Sequence, residues 1–176
     1  PSRVMESTTS ENTGYRALSR RFERVGHLGH VAAILGWDEA VMMPAGGGEA
    51  RAEAMAALRV VIHGLTTDPG MADELQQAST EKLGLIEKAN LDEMQRIFTR
   101  ATALPAELVA ASTRAEARCE QAWRTQRAES DWAGHRPLLE EVVHLRREAA
   151  AALSSKLGLT PYDALMDAFE PGARAA

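Results

Sequence analysis

The hydrophobic positions of this chain recur every three or four residues along most of its length, the spacing of one face of an α-helix. Leu18, Phe22, Val25, Leu28, Ala32 and Leu35 form the first stripe and predict a helix over 13–36. At 1.5 Å per residue it spans roughly 35 Å. Gly26 and Gly29 lower its intrinsic stability by about 1 kcal/mol each against Ala, and their expected use is close approach by a neighbouring helix. Met43-Pro44-Ala45-Gly46-Gly47-Gly48 then breaks the pattern, since Pro removes a donor and Gly loosens the backbone. A second helix is predicted over 49–65 with Met55, Leu58 and Ile62 inward. Thr67-Asp68-Pro69 has the form of a helix start, a capping oxygen followed by Pro in the first turn, and this short third helix ends near Ser79.

The stripe Leu91, Met94, Phe98, Ala101 predicts a fourth helix over 84–102. Leu104-Pro105 opens a fifth that runs to Ser130, aligning Leu108, Ala111, Ala115, Cys119 and Trp123. Asp131 can cap a sixth that carries Leu139, Val142, Val143, Ala149, Leu153 and Leu157, with Pro137 in its opening turns. Gly158 stops it, Thr160-Pro161 opens a short seventh, and Glu170-Pro171-Gly172 reads as a turn. The expectation is an all-α protein, an antiparallel bundle of six to seven helices over residues 13–172. The polar, Ser/Thr-rich residues 1–12 read as a disordered tail. Residues 173–176 read as a truncated end with a further domain left out, or as a floppy tail.

Composition strengthens the helical reading. Aromatics are 5% of 176 residues, so the residues that suit a pleated sheet are thin. The formal net charge is −5, with basic and acidic residues mixed along the helices, which argues against a nucleic-acid partner. No apolar run is long enough for a bilayer, so no membrane partner is expected. Cys119 is the single cysteine, which rules out an internal disulfide and makes a reducing cytoplasm the default compartment.

Several residues could carry chemistry. His27 and His30 lie three apart on a helix with Glu23 one turn earlier, a spacing that could hold a metal; the alternative is a pair of partly exposed histidines. Glu141-Val142-Val143-His144 has the Glu-x-x-His spacing of helical di-iron sites, but those need two copies, and Val142 and Val143 claim the core face. His63, near the end of the second helix, is placed to interact with its last carbonyls and dipole. Gly46-Gly47-Gly48-Glu49 lacks the Lys of a phosphate loop and reads as a turn. Cys119 sits on an apolar stripe as a packing residue. Trp37 is expected to pack where the first helix closes, its N–H finding a partner, while Asp38 ties down backbone donors in the following turn. There is no His-Glu-x-x-His and no Gly-x-Ser-x-Gly.

Taken in order, Trp37-Asp38, Met43-Pro44, the glycines with Arg51, and Leu58 with His63 resemble the opening of the carboxypeptidase Taq family of metallocarboxypeptidases. The resemblance continues through 100–108, Ala122-Trp123-Arg124, Pro137-Leu138-Leu139-Glu140, 162–167 and Glu170-Pro171-Gly172. Gln126-Arg127 and His135 depart from it, where Ala-Arg and an aromatic residue are expected.

The resemblance implies the N-terminal portion of a larger, mostly helical metallopeptidase. It implies a cytosolic, homodimeric enzyme that removes residues from peptide C-termini with a divalent metal of the zinc or cobalt type. The metal would be held by His-Glu-x-x-His and a further Glu downstream of this chain. No catalytic, cofactor-binding or metal-binding residue carries over to these 176 positions. The implied role is to wall the active-site groove, with the catalytic C-terminal region and peptide substrates as partners and no activity alone. Two readings stand beside it: a stand-alone helical interaction or dimerisation module, and a metal-binding bundle built on His27, His30, Glu141 and His144.

Overall fold

The computed structural model describes residues 13–175, so the tail predicted over 1–12 lies outside the described residues. Among these residues there are seven α-helices and no strand: α1 (Thr13–Val41), α2 (Gly48–Thr66), α3 (Pro69–Ser79), α4 (Leu85–Thr102), α5 (Ala106–Glu129), α6 (Trp132–Leu157) and α7 (Pro161–Met166). The all-α expectation holds, and the helix starts follow the local chemistry of the sequence. The carboxylate of Asp68 accepts from Gly70 N (2.9 Å), that of Asp131 from Gly134 N (2.9 Å), and the Thr160 hydroxyl from Asp163 N (3.1 Å). Glu87 reaches back to accept from Gly84 N (2.8 Å) at the start of α4. The αL residues Ser130 and Gly158 end α5 and α6.

The pairs α2–α5 and α5–α6 run antiparallel. Gly48 lies against Gln121 and Glu53 pairs with Arg114, fixing α2 against α5 in opposite directions. Cys119 meets His135 while Arg118 pairs with Glu141 and Glu116 with Arg146, which does the same for α5 and α6. The main core lies where α1, α3 and α4 converge: Leu18, Met71, Leu75, Ala78 and Leu91 are buried, with Tyr15, Phe22, Leu83, Met94 and Phe98 packed around them. A Cβ on Gly14 would stand 2.9 Å from the Ala78 backbone nitrogen, so α1 and α3 touch where only Gly fits.

Four expectations change. First, α1 does not close at Gly36 but continues to Val41, because nothing interrupts the backbone ladder until Pro44. Second, the helix does break over 43–48 as expected, but the break is itself ordered and α2 starts at Gly48, one residue earlier than predicted. Residues Ala45–Gly47 form a 3-10 turn with the Met43 side chain folded over Gly47, and Gly48 already belongs to α2. Third, Gly26 and Gly29 have nothing within 4 Å of a built Cβ, so no described helix approaches them closely. Fourth, several residues placed inward by periodicity are exposed, namely Trp123, Leu139 and Val143. The stripe is there in each case, but no described element lies over that part of it.

Residues 173–175 are held in place. Asp167 Oδ1 accepts from Gly172 N (3.0 Å) and lies 3.4 Å from Arg174, and Asp163 Oδ1 accepts from Ala175 N (2.8 Å).

Candidate functional site

Two polar locks account for most of the charged residues that are buried or nearly so. The first closes the end of α1. Asp38 pairs with Arg51 of α2 at 2.5 Å, and the same guanidinium donates to the Leu35 carbonyl at 3.2 Å. Glu39, one residue on, is buried. Its carboxylate accepts from Gln121 (2.9 Å) and its carbonyl from Arg124 (3.1 Å), both on α5. The Asp38 carbonyl takes the amides of Met42 and Met43 at 2.9 and 2.8 Å, ending the helix before Pro44. Asp38 thus acts as the expected structural tie, but its carboxylate engages Arg51 and only its main chain serves the turn. Trp37 is not packed: it is 59% exposed.

The second lock gathers α4 and α7. Asp167, 9% exposed, faces Arg100 at 3.1 Å and Arg96 at 3.8 Å, and Arg100 also donates to the Ala164 carbonyl at 3.1 Å. The Gly172 amide, with Arg100 and Arg174 nearby, holds the Asp167 carboxyl below the ordinary aspartate range, against burial pushing the other way. The Ala175 amide and the Thr160 hydroxyl do the same for Asp163. Both carboxylates are fully used as acceptors within the fold, which suits anchoring and leaves little for chemistry on a substrate.

The remaining candidates stay apart. His27 and His30 are exposed on α1. Glu141 pairs with Arg118 at 2.7 Å and His144 with Glu148 at 3.1 Å, so the Glu-x-x-His motif is divided between two surface pairs. Val142 is half-buried, yet Val143 faces outward and does not claim the core. His63 is half-buried, and burial pushes its imidazole down toward the neutral form, opposed by the Leu104 backbone and the Glu107 carboxylate. Burial thus works against the charged ring that the helix dipole would favour, and the helix end is closed by Thr67, whose amide and hydroxyl both donate to the His63 carbonyl at 2.9 Å.

Sequence reasoning missed one cluster. Cys119 Sγ lies 3.9 Å from His135 Nε2, and His135 Nδ1 lies 3.1 Å from Gln126 Oε1. The α5–α6 hairpin brings Gln126 and His135 together. Burial raises the Cys119 thiol above its ordinary pKa, so it is not an activated thiolate. Among the described residues no group of three or more His, Cys, Asp or Glu side chains could hold a metal ion. The donor set therefore does not fit a catalytic metal within these residues.

Residues 17–176 match the family model of Carboxypeptidase Taq (M32) metallopeptidase. The chain belongs to the carboxypeptidase Taq family. It is 34% identical over 172 residues to Thermostable carboxypeptidase 1 of Thermus thermophilus, a match covering 92% of this chain and 34% of that protein. It is 28% identical to the Pyrococcus furiosus protein of the same name, over 93% of this chain and 33% of the other. Among solved structures, Trypanosoma cruzi metallocarboxypeptidase 1 superposes with a TM-score of 0.75 at 34% identity, over 93% of this chain and 33% of that one. The chain thus spans about a third of the length of the carboxypeptidase Taq relatives it matches. The family implies a divalent metal in the full-length protein.

Proposed function

We propose that this chain is the N-terminal region of a metal-dependent carboxypeptidase that removes residues from peptide C-termini, and that its helices wall the groove leading to a metal held elsewhere in the polypeptide. The observation that carries this reading is the pairing of two facts. The family match runs through residues 17–176, yet the matched proteins extend about three times as far. The buried carboxylates of the described residues are spent on structural ties, which fits a scaffold better than a reactive centre. A rigid helical wall restricts access to a recessed site and orients an extended peptide without touching the scissile bond. We assign the catalytic C-terminal region of the same polypeptide and peptide substrates as partners, zinc or cobalt as the metal, the cytoplasm as the compartment and a homodimer as the assembly.

The test compares the isolated 176-residue chain with the full-length polypeptide. Expected for the chain alone is no release of C-terminal residues and no stoichiometric metal. Expected for the full-length polypeptide is C-terminal hydrolysis that a chelator abolishes and a divalent metal restores. Chelator-sensitive hydrolysis by the isolated chain would place the site within these residues and sink the assignment.

A further inference from the structure

The outer face of α1 reverses the usual rule for a helix on a protein surface. Between Gly26 and Val41 the exposed residues are Gly26, His27, His30, Val31, Ala33, Ile34, Trp37, Ala40 and Val41, with no Asp, Glu, Lys or Arg among them. The two charged residues of this stretch, Asp38 and Glu39, point inward to Arg51, Gln121 and Arg124. Over about four turns, roughly 24 Å of helix, the two carboxylates are turned inward and the outer face is apolar apart from His27 and His30. Val31, Ile34, Trp37 and Val41 are between 45% and 62% exposed and recur every three or four residues, so they form one stripe on the side of α1 away from Leu18 and Ala32. Gly26 leaves the flank of this stripe bare, with nothing within 4 Å of a built Cβ, so another backbone can come close there. The N-terminal half of the same helix behaves normally, with Arg16, Arg20, Glu23 and Arg24 exposed.

We infer that residues 26–41 of α1 form the seat on which the C-terminal region of the same polypeptide packs, so that α1 is enclosed on both sides in the complete protein. This rests on the carboxypeptidase reading. The occupant is identified by three observations. The relatives carry about twice as much chain again beyond the matched third. The last described residues are pinned to α7 through Asp163 and Asp167, which gives the C-terminal region a fixed point of departure. The stripe carries no Asp, Glu, Lys or Arg, only His27 and His30 among its apolar residues, as suits a permanent interior, whereas surfaces that meet and part are about as polar as the rest of a protein.

Hydroxyl-radical footprinting of the unmodified full-length polypeptide tests this, with Trp37 oxidation read at the peptide level in the native and urea-unfolded states. The expected result is at least tenfold slower modification of native Trp37, unchanged on hundredfold dilution. Ile34→Cys in the same protein should show a matching loss of maleimide reactivity. Native Trp37 that reacts at the unfolded rate overturns the inference. Protection that disappears on dilution, in step with a fall in mass by light scattering, assigns the face to a second copy and also overturns it. Peptide hydrolysis by the same preparation reports separately on the carboxypeptidase reading: an active enzyme with reactive Trp37 sinks the seat alone, and an inactive one sinks the function.

Discussion

Around Leu18, Met71, Leu75 and Leu91 the helices α1, α3 and α4 meet through long side chains, whereas most of the buried apolar residues of α2, α5 and α6 are alanines, Ala52, Ala56, Ala115, Ala149 and Ala150, beside Met55, Cys119 and Leu153. The first region buries large apolar area and is held by it. The second draws backbones together but removes little area from water per residue. It is laced instead by surface pairs, Glu53–Arg114, Arg118–Glu141 and Glu116–Arg146, each worth little in high dielectric. The three residues that periodicity misplaced inward, Trp123, Leu139 and Val143, all lie on α5 and α6 of this second region. The chain thus has one core of large side chains and one layer whose outer surface carries exposed apolar residues.

Substitutions should separate the two regions. Met71→Ala removes a fully buried side chain from the large-residue core, and should cost about 3 kcal/mol in urea unfolding. A loss no larger than that of a surface change would mean the core is not where stability resides. Asp167→Ala strips the α4–α7 lock and strands the half-buried Arg100; it should cost somewhat less, about 2 kcal/mol, and should raise proteolysis after residue 170. Ala56→Leu overfills the alanine layer at a fully buried position and should cost about 2 kcal/mol. Neutrality there would show the layer to be loosely packed.

Smaller effects sharpen the contrast. Arg114→Ala breaks an exposed pair with Glu53 and should leave the melting temperature within experimental scatter; a clear drop would make the surface pairs structural after all. His63 gives a pH dependence of known sign. Burial favours its neutral ring, so the unfolded chain takes up the proton first as pH falls. The contribution is intact above the ordinary histidine value, about 6.5, and is lost as pH falls toward the depressed folded value. Melting temperature should therefore drop between pH 7 and 5.5, and His63→Gln should flatten that slope.

Much of the fold was legible in the sequence because the deciding interactions are local. Asp68, Asp131, Thr160 and Gly158 cap or stop helices through contacts within five residues, and the three- and four-residue stripes fix which elements are helical. The start of α1 at Thr13 was legible, but the distant partners that close its two ends were not. Glu81, far along the chain, accepts from the amides of Gly14 and Tyr15 at 2.7 and 3.0 Å to cap its start. Arg51 and Arg124 tie down its end from α2 and α5.

By itself, then, the sequence determined the helices, most of their boundaries and the family, because capping, turn chemistry and periodicity act over a few residues. Only the tertiary structure decided which stripe of a helix is covered. It turned Asp38 and Glu39 inward and left Trp37, Ile34 and Val41 outward, because Arg51, Gln121 and Arg124 stand on one side of α1 and no described residue stands on the other. Periodicity registers that a face is apolar; what lies against it depends on segments far away in the chain.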